Sequence, residues 1–136
     1  MKKLKILSID DEVNFTELLK QYFEPRGYDI DISSNSTKGL ELLHKNGYDV
    51  VLLDLRMEGL SGEDVMMELK RAGRKIKIIF ITAYSDSGRT RRRLLEEGAY
   101  AFLEKPLASL KVLEDLINKA AGSNTQRGND DKDTGR

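Results

Sequence analysis

The chain has 136 residues, 39% of them hydrophobic, which suffices for one domain with a proper core. Its 23 basic and 23 acidic residues cancel to a formal charge of zero, so no whole-chain field draws it to nucleic acid or to an anionic membrane. It has no cysteine, which excludes a disulfide framework and any thiolate metal or redox site. Charges at Lys2, Lys3, Lys5, Asp10 and Asp11 break up any leader-like apolar core, and no run reaches membrane-spanning length. A soluble cytoplasmic protein is the class expected.

The pattern alternates strand and helix five times. An apolar run over 4–9 predicts a first strand, followed by a helix over 13–23 whose apolar stripe is Val13, Phe15, Leu18, Leu19, Tyr22 and Phe23. Pro25 and Gly27 stop that helix. A short strand over 29–32 comes next, then a helix capped by Ser36-Thr37 that carries Leu40, Leu42 and Leu43 and ends near Asn46-Gly47. The third strand, 49–53, is apolar on consecutive residues, as a strand buried on both faces must be. Gly59 and Gly62 bracket a turn into a helix over 63–71, which carries Val65, Met66 and Leu69 and stops at Gly73.

A fourth strand is predicted over 76–81. Ser85-Asp86-Ser87 opens an arginine-rich helix with Leu94 and Leu95 as its buried pair and Gly98 as its stop. The fifth strand covers 100–103, and a last helix from about Ser109 buries Leu110, Leu113, Leu116 and Ile117. Strands separated by helices mean βαβ units and a parallel sheet with right-handed crossovers. The expected division is a folded domain over 1–121 and a disordered polar tail over 122–136, which has no aliphatic or aromatic residue.

In a parallel sheet, residues just past the strand ends gather along one edge, where open α/β sheets hold their ligands. Asp10, Asp11, Asp54, Thr82 and Lys105 each follow a predicted strand. Mg²⁺ takes oxygen ligands in a tight octahedron and needs only one or two carboxylates. Asp11 and Asp54 could supply them, with Asp10 orienting a bound water. Lys105 and Thr82 would neutralise phosphoryl oxygens, and Asp54, at the end of the central strand, would be the nucleophile.

Four segments carry a resemblance. They are Ile9-Asp10-Asp11-Glu12; Val51 to Met57, centred on Asp54, with Gly62 beyond; Ile81-Thr82-Ala83-Tyr84; and Gly98 to Pro106, which includes Phe102 and Lys105. In this order and at these spacings, residues 3–121 resemble the receiver domain of bacterial two-component response regulators, of the chemotaxis or sporulation-relay single-domain kind. The resemblance implies a doubly wound, flavodoxin-like (βα)5 sheet in the order 2-1-3-4-5. It implies phosphorylation of Asp54 by a sensor histidine kinase or a histidine phosphotransfer protein. It also implies Mg²⁺ held by Asp10, Asp11, Asp54 and the backbone carbonyl of Arg56. Thr82, Lys105 and Phe102 would be the catalytic and switch residues, Arg56 and Tyr84 would tune the phosphoryl lifetime, and the Lys105–Pro106 peptide would be cis. Glu58 stands where receivers usually carry proline, and Phe102 where tyrosine is more frequent.

The isolated features have plainer readings. Asp10 and Asp11 could merely cap the first helix, and His44 reads as a surface residue. The run Arg89, Arg91, Arg92, Arg93 reads as a solvated face, or as a docking surface for an acidic protein. Two other functions are open. One is a haloacid-dehalogenase-like phosphatase with its nucleophile after strand one; against it, position 12 is Glu and the third strand supplies its own Asp. The other is an FMN binder, whose phosphate Asp10-Asp11-Glu12 would repel. The expected role is a phosphoacceptor switch rather than a turnover enzyme. Its output lies in a downstream protein target or in an output domain outside the chain, with no direct binding of nucleic acid or membrane.

Overall fold

The computed structural model describes residues 3–125. Strands and helices alternate as β1 (Lys5–Ile9), α1 (Val13–Phe23), β2 (Asp29–Ser33), α2 (Ser36–Lys45), β3 (Val50–Leu53), α3 (Gly62–Arg71), β4 (Lys77–Thr82), α4 (Arg89–Glu96), β5 (Ala101–Glu104) and α5 (Leu110–Thr125). All strands pair parallel, in the order β2-β1-β3-β4-β5. This is the doubly wound topology expected. Helix α5 continues past 121, and most of the expected polar tail, 126–136, lies outside the described residues.

Side chains alternate across the strands and so build two cores. Leu7, Ile9, Val51, Leu53, Ile78 and Phe80 face α2, α3 and α4, where they meet Leu43, Val65, Met66, Leu69 and Leu94. Ile6, Val50, Leu52, Ile79 and Ile81 face α1 and α5, where they meet Leu19, Phe23, Leu113 and Ile117. Every residue of β3 is buried because each of its faces carries a helix layer. Gly39 lets α2 lie against β1, since a Cβ there would fall 2.5 Å from Ile9 Cδ1.

Several local expectations shift. Asn35, not Ser36, caps α2: its side chain accepts from the Lys38 amide at 2.9 Å. Ser36 turns inward and donates to the Glu58 carbonyl at 3.3 Å, tying α2 to the β3–α3 turn. Ser61 and Asp64 form a capping box, so α3 begins at Gly62. Helix α4 begins only at Arg89, because Ser87 (φ 61) and Gly88 (φ 85) are both left-handed and redirect the chain first. Leu95 is half-buried beside a fully buried Leu94. On α1, Val13 and Leu18 are 54% and 49% exposed, since one packed side of the helix takes only Leu19, Phe23 and their immediate neighbours. His44 is exposed, and no helix among the described residues is long and apolar enough to cross a membrane.

A polar clasp joins α1 and the residue before β2 to α5. Glu114 accepts from the hydroxyls of Tyr22 (2.9 Å) and Tyr28 (2.7 Å), and Asn118 Nδ2 donates to the Tyr28 oxygen at 2.8 Å. The Tyr28 hydrogen bond, aided by Tyr22, holds the Glu114 carboxyl below its ordinary 4.5 although partial burial opposes it. A carboxylate depressed in the folded state stabilises above its unfolded value and loses that contribution as pH falls through the folded one. Glu114→Gln should therefore lower the melting temperature at neutral pH and remove part of the loss seen on acidification below about 4.5. Thermal melts of both proteins across that range check this.

Candidate functional site

The site is built on the ends of β1, β3, β4 and β5. One further ladder bond pins each key residue just past its strand: the Asp10 amide donates to Ser33 O (3.0 Å), the Asp54 amide to Ile9 O (3.1 Å) and the Lys105 amide to Thr82 O (2.9 Å). Because Ile9 and Leu53 are register partners, Asp10 and Asp54 emerge level. One carboxylate oxygen from each of Asp10, Asp11 and Asp54 lies within 4.8 Å of the others. Asp10 is 2% exposed and Asp54 8%, while Asp11 is exposed.

Lys105 is the cation of this edge. Its Nζ donates to Asp10 Oδ2 at 2.9 Å and to Glu12 Oε1 at 2.8 Å, and lies 4.5 Å from the Phe15 ring centroid. Burial pushes the Asp10 carboxyl up from its usual range, aided by the Asp54 charge and opposed by Lys105 and the Glu12 amide. For Lys105 burial acts downward, but the bonds to Glu12 and Asp10 outweigh it and the net shift is upward. The two shifts differ in origin: loss of hydration raises Asp10, and two carboxylate partners raise Lys105.

The remaining expected residues divide. Thr82 is buried, and its Oγ1 accepts from the Tyr84 amide at 3.2 Å. Phe102 is already inside, with its ring centroid 6.2 Å from that of Phe80. Arg56 lies over the Tyr84 ring, its guanidinium carbon 3.9 Å from the ring centroid. The Lys105–Pro106 peptide is cis. Asp10 does not cap α1: Glu12 stands at its N-cap with no side-chain cap bond, and Asp10 Oδ1 accepts from the Glu12 amide at 2.9 Å.

Three contributors were not assigned from sequence. Glu12 shares the Lys105 ammonium with Asp10. Ser36 holds the turn at Glu58, the position where a proline would have stiffened it. Gly62 is the third: a Cβ there would lie 2.1 Å from the Asp54 carbonyl oxygen. The spacing Asp54–Gly62 was visible in the sequence, but the close approach that explains it was not.

The chain matches the family model described as the response regulator receiver domain over residues 6–118. It belongs to that family. Sporulation initiation phosphotransferase F of Bacillus subtilis is 29% identical over 119 residues, covering 88% of this chain and 94% of that protein. The uncharacterised transcriptional regulatory protein YkoG, also of B. subtilis, is 32% identical over 99% of this chain but 57% of its own length. The chain thus spans about half the length of that regulator. Among solved structures, a receiver domain protein from Clostridium thermocellum superimposes with a TM-score of 0.81 at 32% identity, covering 90% of this chain and 97% of that one. Response regulator TrrA of Thermotoga maritima, solved with Mg²⁺ and BeF, gives 0.74 at 34% identity over 86% and 98% of the two chains. The receiver fold and family support the first reading and give no support to the phosphatase alternative.

The receiver's acidic edge suits a divalent cation. Two of its three carboxylates are buried, all are hard oxygen donors, and one ammonium leaves their charge uncompensated. Gly62 keeps the turn after Asp54 tight against that edge. Gly62→Ala should cost about 1–3 kcal/mol of stability through overpacking and weaken Mg²⁺ binding by displacing Asp54. Gly47→Ala, where a Cβ meets nothing within 4 Å, should do neither. Chemical denaturation and Mg²⁺ titration of both variants test the pair.

Proposed function

We propose that this receiver accepts a phosphoryl group on Asp54 from the phosphohistidine of a sensor histidine kinase or histidine phosphotransfer protein, and so switches a docking surface. The observation that carries the reading is the buried Asp54 carboxylate beside Asp10 and Asp11, with Lys105 anchored on the same edge. An Asp54 oxygen attacks phosphorus as the phosphorus–nitrogen bond to the donor imidazole breaks, and the freed imidazole nitrogen takes up a proton. Asp10, Asp11, Asp54 and the Arg56 carbonyl would hold Mg²⁺, which would supply positive charge against the phosphoryl oxygens. Lys105 reaches the same oxygens by leaving Glu12, the more exposed of its two partners.

Thr82 suits the switch role. Its oxygen accepts from the Tyr84 amide, while its buried hydroxyl proton has no acceptor among the described residues. A phosphoryl oxygen on Asp54 would provide one, and the movement would draw on the β4–α4 loop. Phe102 packs against Phe80, on the strand that leads into that loop, and would respond to it. The receiver is a cytoplasmic phosphoacceptor rather than a turnover enzyme. It works in a relay, or as the input of a longer regulator whose output lies beyond this chain. The relatives named as a phosphotransferase and as a transcriptional regulator suit those two roles respectively.

With Mg²⁺ and acetyl phosphate or a phosphohistidine donor, the wild type should gain one acid-labile phosphoryl group, and chelating the metal should abolish the gain. Asp54→Asn should gain none. Intact-mass spectrometry reads this directly; equal labelling of the mutant sinks the assignment, and labelling on Asp10 revives the phosphatase.

The stacked Arg56 and Tyr84 stand two residues past the phosphoacceptor and the switch hydroxyl respectively. Together they hinder a water approaching in line with the phosphorus–oxygen bond, so the phosphoryl group is long-lived. Arg56→Asn with Tyr84→Ala should speed dephosphorylation about tenfold, roughly 1.4 kcal/mol off the barrier. Phosphate release after donor removal measures it, and an unchanged rate refutes the shielding.

A further inference from the structure

The formal charge of zero hides a strong segregation. Between residues 70 and 93 nine basic residues stand against one acid, Asp86, a net of +8 that the rest of the chain balances. That stretch builds the end of α3, the α3–β4 turn, β4 and most of α4. Where the C-terminal ends of α3 and α4 meet the start of β4, it lines part of an open cavity of about 410 Å³. This cavity lies at the opposite end of β4 from Thr82, away from the phosphorylation edge.

Lys70, Arg74, Lys75 and Lys77 line the cavity, with the half-buried Ile76 at its floor and the buried Met66, Leu69 and Ile78 beneath. Four other cations of this protein are matched with carboxylates: Arg71 with Glu68, Arg93 with Glu63, Lys105 with Asp10 and Glu12, Lys111 with Asp115. Among the described residues, none of the four cavity cations has a carboxylate partner. The one carboxylate in the lining, Glu97, lies 3.5 Å from Arg93.

Cations gather at helix C-termini to offset the dipole, and that explains part of this cluster. Lys70 Nζ donates to the Glu97 carbonyl (2.7 Å) and Arg74 Nη2 to the Asn46 carbonyl (3.1 Å), each at a helix C-cap. These bonds fix both heads and leave each with further N–H donors. Among the described residues the Lys75 and Lys77 side chains bond to no helix end; Lys77 lies 5.8 Å from the Tyr100 ring centroid. Two additional positive charges beside a preformed cavity are what dipole compensation leaves unexplained.

We propose that this cavity binds a small polyanion with an apolar part, of the nucleotide polyphosphate class. Its phosphates meet Lys70, Arg74, Lys75 and Lys77, and its base lies against Ile76 and the aliphatic stems of the lysines. The volume is within the roughly 300–1,000 Å³ range of small-molecule sites, and the local excess of charge draws anions in. The reading is independent of phosphorylation at Asp54.

The test uses the full chain in metal-free buffer, so that the acidic edge cannot recruit a nucleotide through a cation. ATP, tripolyphosphate and adenosine are titrated by calorimetry and by amide NMR. ATP should bind at one site and shift amides over 70–78 and at Glu97 and Gly98, leaving Asp54 unmoved. Tripolyphosphate should bind more weakly, and adenosine should not bind detectably. Lys75→Gln with Lys77→Gln should weaken ATP about tenfold, the loss expected for charge-assisted hydrogen bonds, and Lys75→Glu alone should act in the same direction. Undiminished affinity in both variants overturns the proposal, as do shifts confined to the Asp54 edge. Tripolyphosphate binding as tightly as ATP overturns the nucleotide class. A DNA duplex that outcompetes ATP and needs the same two lysines makes this an extended surface instead.

Discussion

Asp10 and Asp54 are buried side by side because β1 and β3 run parallel with Ile9 and Leu53 in register. Two carboxylates taken out of water next to a third, Asp11, repel one another, and each has lost hydration. Lys105 alone sits among them, and it divides itself between Asp10 and Glu12. The edge is therefore short of positive charge by construction. Every other feature of the site answers that shortage, either by holding the carboxylates in place against their repulsion or by leaving room for a charge from outside.

The holding is done by backbone. Ladder bonds that run one residue past β1, β3 and β5 fix Asp10, Asp54 and Lys105 without using their side chains. Gly62 brings the next helix against the Asp54 carbonyl, where any side chain would intrude, and the Gly62 amide donates to Leu55 O at 2.9 Å. Ser36 clamps the far side of that turn through Glu58. The β4–α4 loop is differently made. It passes through two left-handed residues, and Asp86 secures it by accepting from the Thr90 amide (3.0 Å) and hydroxyl (2.6 Å). A carboxylate edge on a stiff frame beside a loop with its own local tether is the division a switch needs.

Opposite charges occupy opposite ends of the sheet. The C-terminal edge of the strands carries the carboxylate cluster, and the cavity at the start of β4 carries four cations unmatched by carboxylates among the described residues. Glu63 and Arg93 join α3 to α4 between these regions, and Glu97 continues the link toward Lys70. Helices α3 and α4 are thus tied to each other by charge along the side that separates the two ends.

The sequence by itself determined the parallel α/β architecture, because consecutive apolar residues in β3 and five strand–helix alternations admit little else. It also picked out Asp10, Asp11, Asp54, Thr82 and Lys105, since residues directly after such strands must share one edge. Local chemistry was read less well where two neighbours could serve equally. Asn35 rather than Ser36 took the cap of α2, because Ser36 was needed inside at Glu58. Two of the six residues of the apolar stripe on α1, Val13 and Leu18, stayed in solvent, since periodicity marks a face but not how much of it a neighbour covers. Only the tertiary structure decided that Glu12 shares Lys105, that Gly62 touches the backbone of Asp54, that Arg56 stacks on Tyr84, and that four cations meet around one cavity. Each depends on distances between segments far apart in the chain or across a turn, and residue order carries no measure of those.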